Sequence, residues 1–445
     1  MKKTFGVLAA SLLLAAPVMA AEPPVYNCDF NPSCEVSPGI YGAMGSPVKS
    51  KFNLSIGGYV KLDYAYNSTA IGPVLPGAPG GGIPAKGTSA NLKDESIMTA
   101  KQSRFWLKTA GPDFLGAKTN ALIEADFYGG GSASNEIANL RLRLAYATLD
   151  WANTQVLFGQ YFDTWGPLVG NTIDFRQGGT TGAPNNPRVP QIRVTQRFDL
   201  DPDNSIRLVL GVQNPVQDNA VAGDVSVGGT GASGAAAAGT SYGSVVNGVA
   251  QLMYVSKALG VAPGFWGLPM NSFQLGLFGL AGSMKVPENH AVDVWGYGLY
   301  NFIPLVKSKN GKDRTMTASL ESQAYVSAGL NVTGANSLAT VGATHNLTAA
   351  KGWGAYSQLV FYPTQSLGIT GGYGRRNDLN YSNYVKGNEL YNEQIFGNVA
   401  YDLNAAVRVA AEYCHVRTQY KGIPTGATAD QGQENTIRLA AFYFF

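Results

Sequence analysis

Pairs of like-charged side chains at even spacing recur along this chain. Arg141 and Arg143 stand two residues apart, Glu124 and Asp126 likewise, and Arg193 and Arg197 are four apart. In an extended strand, even spacing puts both groups on one face. Each pair would therefore present a fixed block of charge to whatever that face borders. Bases on comparable faces are Lys61, Arg104, Lys108, Arg207, Arg408 and Arg438; acids are Asp63, Glu321, Asp402 and Glu412. Such groups attract, repel or screen ions. Covalent chemistry would need a nucleophile beside a base and an orienting group. The only histidines are His290, His345 and His415, and His-Glu-x-x-His and Cys-x-x-Cys-His do not occur; Gly-x-Ser-x-Gly occurs once, Gly239-Thr240-Ser241-Tyr242-Gly243, within a stretch rich in glycine, alanine and serine. No catalytic residue, metal or cofactor is expected.

The charged positions sit inside stretches that alternate polar and apolar. From Asn53 to Asn67 one face reads Leu54, Ile56, Gly58, Val60, Leu62, Tyr64, Tyr66, and the other carries Tyr59, Lys61 and Asp63. Leu140, Leu142, Leu144 and Tyr146 oppose Arg141 and Arg143; Val407, Val409, Ala411 and Tyr413 oppose Arg408 and Glu412. Sixteen such segments are expected near 53–67, 99–110, 118–127, 140–150, 154–161, 188–198, 205–213, 245–256, 272–284, 291–303, 315–327, 351–362, 366–376, 392–403, 405–418 and 434–445. Ser272 to Met284 and Trp353 to Tyr362 carry apolar groups on both faces. Strands this long, apolar on one face and polar on the other, are the signature of a transmembrane β-barrel. The connections mostly alternate long and short, with 257–271 long for a turn and 285–290 short for a loop. The fold expected is an all-β, antiparallel transmembrane barrel with short periplasmic turns and long extracellular loops. A closed sheet leaves no unpaired backbone edge in hydrocarbon. Sixteen strands enclose water rather than a side-chain core.

Composition agrees. Of 445 residues 14% are charged and 45% hydrophobic, with 55 glycines and a net charge of +3. A soluble domain usually carries about 25% charged residues. The charge is too small for a nucleic-acid partner. Lys2 and Lys3, an apolar run from Phe5 to Ala16 and Val18-Met19-Ala20 read as a signal peptide over 1–20. Residues 21–52 form an amino-terminal periplasmic segment in which Cys28 and Cys34 could close a disulfide loop; the barrel is 53–445. Val221 to Gly243, rich in glycine, alanine and serine and lacking a phosphate-cradling lysine, reads as an exposed loop.

The last strand alternates Ile437, Leu439, Ala441, Tyr443 and Phe445, with Phe445 final. Its aromatic end suits a membrane interface. It also resembles the carboxy-terminal signal that outer-membrane barrels present to their insertion machinery. The chain further resembles Gram-negative outer-membrane porins, and in places the DcaP-like porins. The resemblance rests on Ser103-Arg104-Phe105-Trp106-Leu107-Lys108, Glu124-Ala125-Asp126-Phe127, Leu140 to Tyr146, Leu157 to Trp165 and Tyr443-Phe444-Phe445. It covers about 53–165 and the end; the middle matches in pattern only. The Cys-bearing amino-terminal segment departs from it, and the charged helical extension of some DcaP-like members is missing. The resemblance implies a homotrimer in the bacterial outer membrane, among its lipids and lipopolysaccharide, passing small hydrophilic solutes by diffusion. It also implies a third loop that folds inward and narrows the pore, here 162–187 with Asp163, Asp174 and Arg176.

On this reading the bases exceed the acids along the early strands, which favours anions; against that, Glu124 and Asp126 lie on the strand next to Arg141 and Arg143 and can neutralise them. Tyr64, Tyr66, Tyr146, Tyr373, Tyr401, Tyr413 and Tyr443 read as an interfacial girdle. The alternatives are a sugar- or substrate-specific porin, using Tyr59 and Trp106, and the barrel scaffold of a porin–cytochrome electron conduit.

Overall fold

The computed structural model describes residues 53–70, 82–129, 139–167, 172–173, 181–184, 188–214, 246–265, 267, 269–285, 291–330, 338–341, 346–349, 351–379 and 386–445. The residues read as a signal peptide, the Cys28/Cys34 segment and the glycine-rich stretch lie outside them. The strands in chain order are β1 (Asn53–Asn67), β2 (Glu95–Thr99), β3 (Arg104–Ala110), β4 (Lys118–Gly129), β5 (Asn139–Asp150), β6 (Thr154–Phe162), β7 (Arg188–Asp199), β8 (Asn204–Gln213), β9 (Asn247–Pro263) and β10 (Met270–Lys285). There follow β11 (Ala291–Val306), β12 (Thr317–Ala328), β13 (Leu338–Val341), β14 (Asn346–Ala349), β15 (Lys351–Tyr362), β16 (Leu367–Asp378), β17 (Glu389–Asp402), β18 (Val407–Tyr420) and β19 (Gln431–Phe444). β13 and β14 make a small hairpin of their own; the other strands form one sheet in sequence order. β2 and β3 both pair with β1 and together occupy one wall position, which makes sixteen. The sheet closes because β1 also pairs with β19, from Tyr59 against Phe444 to Asn67 against Thr436. Every pairing is antiparallel.

The alternation sets which side faces out. In β19 each odd-numbered residue from Gln433 to Phe445 is exposed and each even-numbered one from Gly432 to Phe444 is buried. Val60, Leu62, Leu252, Leu277, Leu299, Ile395, Ile437 and Leu439 stand 47–58% bare on the outer surface. A belt of that kind all round a protein is far larger than a soluble monomer's apolar patch. Its solvent is hydrocarbon, and the closed ladder leaves no wall backbone unpaired there. No helix among the described residues is long and apolar enough to cross a membrane.

Several boundaries differ from the sequence-based expectation. The second segment, expected unbroken over 99–110, is interrupted at 100–103. β9 runs on to Pro263, and a register shift at Ser272/Phe273 absorbs the extra length, so the connection expected at 257–271 shrinks to 264–269. Met316, expected in a strand, sits in the turn before β12 with φ +57°.

A larger correction concerns β5. The β4–β5 ladder shifts register between Glu124 and Ala125, so Arg143 has no partner of its own. One extra residue turns everything beyond it over. Leu144, expected outside, is fully buried inside. Tyr146, expected in the girdle, packs edge-on against Tyr161 in an inner cluster with Leu144, Leu157 and Phe162. Gly159 makes the matching irregularity in β6: its φ is +121°, and a Cβ there would strike the Ala145 carbonyl.

Candidate functional site

The inner surface has two unlike halves. On the wall from β9 round to β15, Val249, Met253, Val255, Phe278, Leu280, Val294, Tyr300, Tyr325 and Tyr356 form an apolar cluster of the kind found in soluble proteins. A barrel holding only water would not need one. The expectation of a coreless barrel is corrected here, and the cause is a chain segment inside. Trp165, three residues past β6, packs edge-on against Phe278 and Tyr325, with ring centroids 5.1 and 5.5 Å away. This also explains why β10 and β15 carry apolar residues on both faces.

The inner segment is fastened at three places. Gln251 Nε2 donates to the Thr164 carbonyl at 2.6 Å, and Thr164 N donates to Gln213 Oε1 at 2.9 Å. Further on, Ile173 N donates to Glu412 Oε2 at 2.7 Å while its carbonyl accepts from Lys61 Nζ at 2.8 Å. Beyond that, Thr181 N donates to Gln394 Oε1 at 2.9 Å and Arg376 Nη2 donates to the Ala183 carbonyl at 2.9 Å. Gly182, with φ +92°, passes so close to β15 and β16 that any Cβ would overlap the Ala355 carbonyl. The fastenings touch β8–β9, β1 with β18, and β16–β17. Asp174 and Arg176 lie outside the described residues.

Asp163 opens this segment and is buried. Burial pushes its carboxyl well above the usual range, and the Gly166 backbone N–H offsets this only in part. A raised acid favours the folded state while protonated. That advantage is complete below the ordinary carboxylate pKa near ~4 and is lost as pH rises through the raised value. Proteolysis of the inner segment should therefore quicken as pH is raised over that window, and Asp163→Asn should flatten the response. An equal pH dependence in the variant would show that another group controls it.

The opposite wall, β3 to β8, carries the charge. Glu124 Oε1 accepts from Arg143 Nε at 2.7 Å and lies 3.6 Å from Arg104 Nη1; Asp126 accepts from Arg141 Nη2 at 2.5 Å and from Arg143 Nη1 at 2.9 Å. Arg188, at the start of β7, interacts electrostatically with Arg104, Arg141, Arg143 and Asp126. The cluster thus holds four guanidiniums and two carboxylates among the described residues. The pairing foreseen between the two acids and Arg141 and Arg143 is present, and it leaves a basic excess. Arg188 escaped the sequence reading because it stands at a strand end, beyond the alternation. Arg193, in contact with the Tyr161 ring at 4.6 Å, is partly open, as are Arg197 and Arg207, which are direct cross-strand neighbours. Arg197 also pairs with Asp199 at 2.6 Å.

Other expected lining residues are enclosed. Lys61, fully buried, also donates to Gln102 and pairs with Asp63 at 2.8 Å. Glu412 accepts from Arg438 Nη1 at 2.8 Å, and Arg408 pairs with Asp402 at 2.5 Å. His415 faces outward and bonds Asn435; His290 and His345 lie outside the described residues. No group of three His, Cys, Asp or Glu among the described residues could hold a metal ion.

The inner rings are seated by a repeated device. Trp106, Phe278, Tyr300, Tyr325 and Phe396 each lie opposite a glycine on the next strand, respectively Gly57, Gly298, Gly276, Gly354 and Gly372. At each glycine an added Cβ would collide with the ring. The rings lie flat on bare backbone, a pairing that shields the glycine and pins register.

No family model and no curated protein matches the sequence. Solved structures do. The outer membrane channel DcaP of Acinetobacter baumannii superposes with a TM-score of 0.66 at 18% identity, covering 90% of this chain and 99% of that one. An anion-selective porin from Comamonas acidovorans gives 0.52 at 10% identity, covering 88% and 100%. The trimer form of OmpT, an outer membrane protein of Vibrio cholerae, gives 0.51 at 11% identity, covering 89% and 100%. At such identities the likeness speaks for the fold.

Proposed function

We propose that this chain is an outer-membrane porin, a passive, water-filled channel for small hydrophilic solutes with a mild preference for anions. The observation that carries the reading is the two-sided interior. One half is closed by the chain's own inner segment, and the other is a charged wall on which guanidiniums outnumber carboxylates. Solutes pass between the inner segment, which narrows the bore, and the β3–β8 wall. The low-dielectric surroundings strengthen the field of Arg104, Arg141, Arg143, Arg188 and Arg193. Basic rings favour anions. The porin-like solved structures are consistent with this, one of them being described as anion-selective. Homotrimer assembly, lipopolysaccharide contact and recognition of the Phe445 strand by the insertion machinery belong to the same proposal.

The alternatives fare less well. Tyr59, Tyr300, Tyr325 and Phe396 are buried, so of the two rings a sugar track would use only half-buried Trp106 is left, and one ring makes no track. The inner segment occupies space that an enclosed cytochrome would need. The role is that of a channel rather than an enzyme.

Planar-bilayer recordings in a salt gradient test this. The refolded protein should conduct with an anion-favouring reversal potential. Arg141→Gln/Arg143→Gln should move the potential toward cations, and so should Arg193→Gln/Arg197→Gln, which disturbs no buried network. Cation selectivity unaltered by either double substitution would sink the anion preference; absence of conductance would sink the pore.

A further inference from the structure

Among the described residues, the outer surface carries a charged arrangement that neither the lumen nor the apolar belt explains. On β16, β17 and β18, Arg375, Glu393 and Arg417 are consecutive cross-strand partners, Arg375 against Glu393 and Glu393 against Arg417. All three point outward, on the same faces as Tyr373, Ile395 and Tyr413. They lie toward the rim bearing connections 379–388 and 421–430. Arg375 is two residues beyond exposed Tyr373, and Glu393 two beyond exposed Ile395. At about 3.3 Å per residue, the row stands roughly 7 Å beyond Tyr373 and Ile395, with Tyr391 on the same face one step nearer the rim. A membrane places its headgroups at that height.

The row is built to hold an anion. Two guanidiniums flank one carboxylate, leaving one positive charge over. Both ion pairs measure 3.6 Å, longer than the ~2.7–2.9 Å of a charge-assisted hydrogen bond. Glu393 thus holds the two arginines near each other and also accepts from Tyr373 Oη at 3.0 Å; each arginine spends one Nη2 N–H on a neighbour, Arg375 on Asn377 Oδ1 at 3.0 Å and Arg417 on Gln419 Oε1 at 3.4 Å, and each has further N–H groups for a ligand. The side chains of Arg375 and Arg417 are 32% and 35% exposed. Tyr391 orders both: Arg375 lies over its ring at 3.9 Å and Arg417 at 5.9 Å. Planar forks fixed in this way match phosphate bidentately.

We infer that Arg375 and Arg417, spaced by Glu393 and braced by Tyr391, form a binding site for the phosphorylated headgroup of a membrane lipid on the outer wall of the barrel. The occupant is a lipid rather than a free anion because the site continues directly into the lipid-facing belt. A phosphate held there brings acyl chains alongside Ile395, Val399 and Ile437. The site rests on the reading of the barrel as membrane-spanning but not on conduction.

Thermal unfolding and native mass spectrometry of the detergent-refolded full chain test it, with bisphosphorylated lipid A, the same lipid dephosphorylated, and inorganic phosphate as probes. The phosphorylated lipid should bind and raise the unfolding midpoint; the other two should do neither. Arg375→Gln/Arg417→Gln should weaken its binding about tenfold or more with bilayer conductance unchanged. Arg375→Lys/Arg417→Lys should fall between, and Glu393→Gln should tighten binding by removing a competing carboxylate. Equal binding of the dephosphorylated lipid, or undiminished binding to the glutamine double variant, overturns the proposal. So does stabilisation by inorganic phosphate alone, or loss of an oligomer in that variant, which would make the row a contact between copies. A protein that binds the lipid but does not conduct would refute the porin reading and leave this site standing.

Discussion

Replacing Trp165 with alanine is expected to raise single-channel conductance severalfold and to destabilise the barrel by about 3–5 kcal/mol, the usual range for a buried tryptophan. The ring fills the space between Phe278 and Tyr325 and lies over Gly296, where no side chain intervenes. It clamps the start of the inner segment to the β10–β12 wall. Without it the segment keeps its fastenings at Thr164, Ile173 and Thr181 but loses its apolar hold on Phe278 and Tyr325. Conductance and denaturant unfolding should be measured on the same preparation. An outward substitution, Leu277→Ala, controls for loss of wall packing and should leave conductance alone. A destabilised Trp165→Ala protein of unchanged conductance would mean that this segment does not limit flow.

Glu124→Gln is expected to act with opposite sign to the arginine substitutions. Glu124 is buried, beside Arg143 and Arg104. Neutralising it leaves four guanidiniums facing Asp126 alone. Removing one partner of a buried pair typically costs about 3–5 kcal/mol, because the remaining charge stays desolvated. The reversal potential should move further toward anions. Adding Arg104→Gln to the same chain should recover part of both losses, since the charge balance returns. A potential that stays put in Glu124→Gln would remove this cluster from any part in ion choice.

The wall was largely readable from the amino acids because hydrocarbon on one side and polar groups on the other enforce a period of two. The bounds of β1 and β15 come out of that alternation unchanged, and most others within a few residues. What escaped reading has a physical reason each time. The irregularity at Glu124 leaves no mark in the residues, since Leu144 and Tyr146 suit an inner cluster as well as a membrane. The seats of Trp165 and Ile173 depend on partners about 90–240 positions away, which no local pattern encodes. Even the two apolar faces of β10 and β15, visible at once, had no evident cause until the inner segment supplied one. Which of the expected arginines are enclosed and which are wetted is decided by that segment and not by spacing.

The rings seated on glycines carry a consequence for how such a conduit can change over generations. The thickness of the packed lining on which the inner segment rests is set in part by hydrogen atoms on neighbouring strands. On the proposed reading, a single glycine-to-alanine replacement under Phe278 or Tyr325 would lift that ring, push the inner segment into the bore and narrow it without altering any charge, whereas an exchange of arginine for glutamine would retune ion preference at constant width. Size and charge discrimination are therefore free to evolve separately, and a cell under attack by a bulky toxic compound could restrict its entry through one small mutation while still admitting small nutrients.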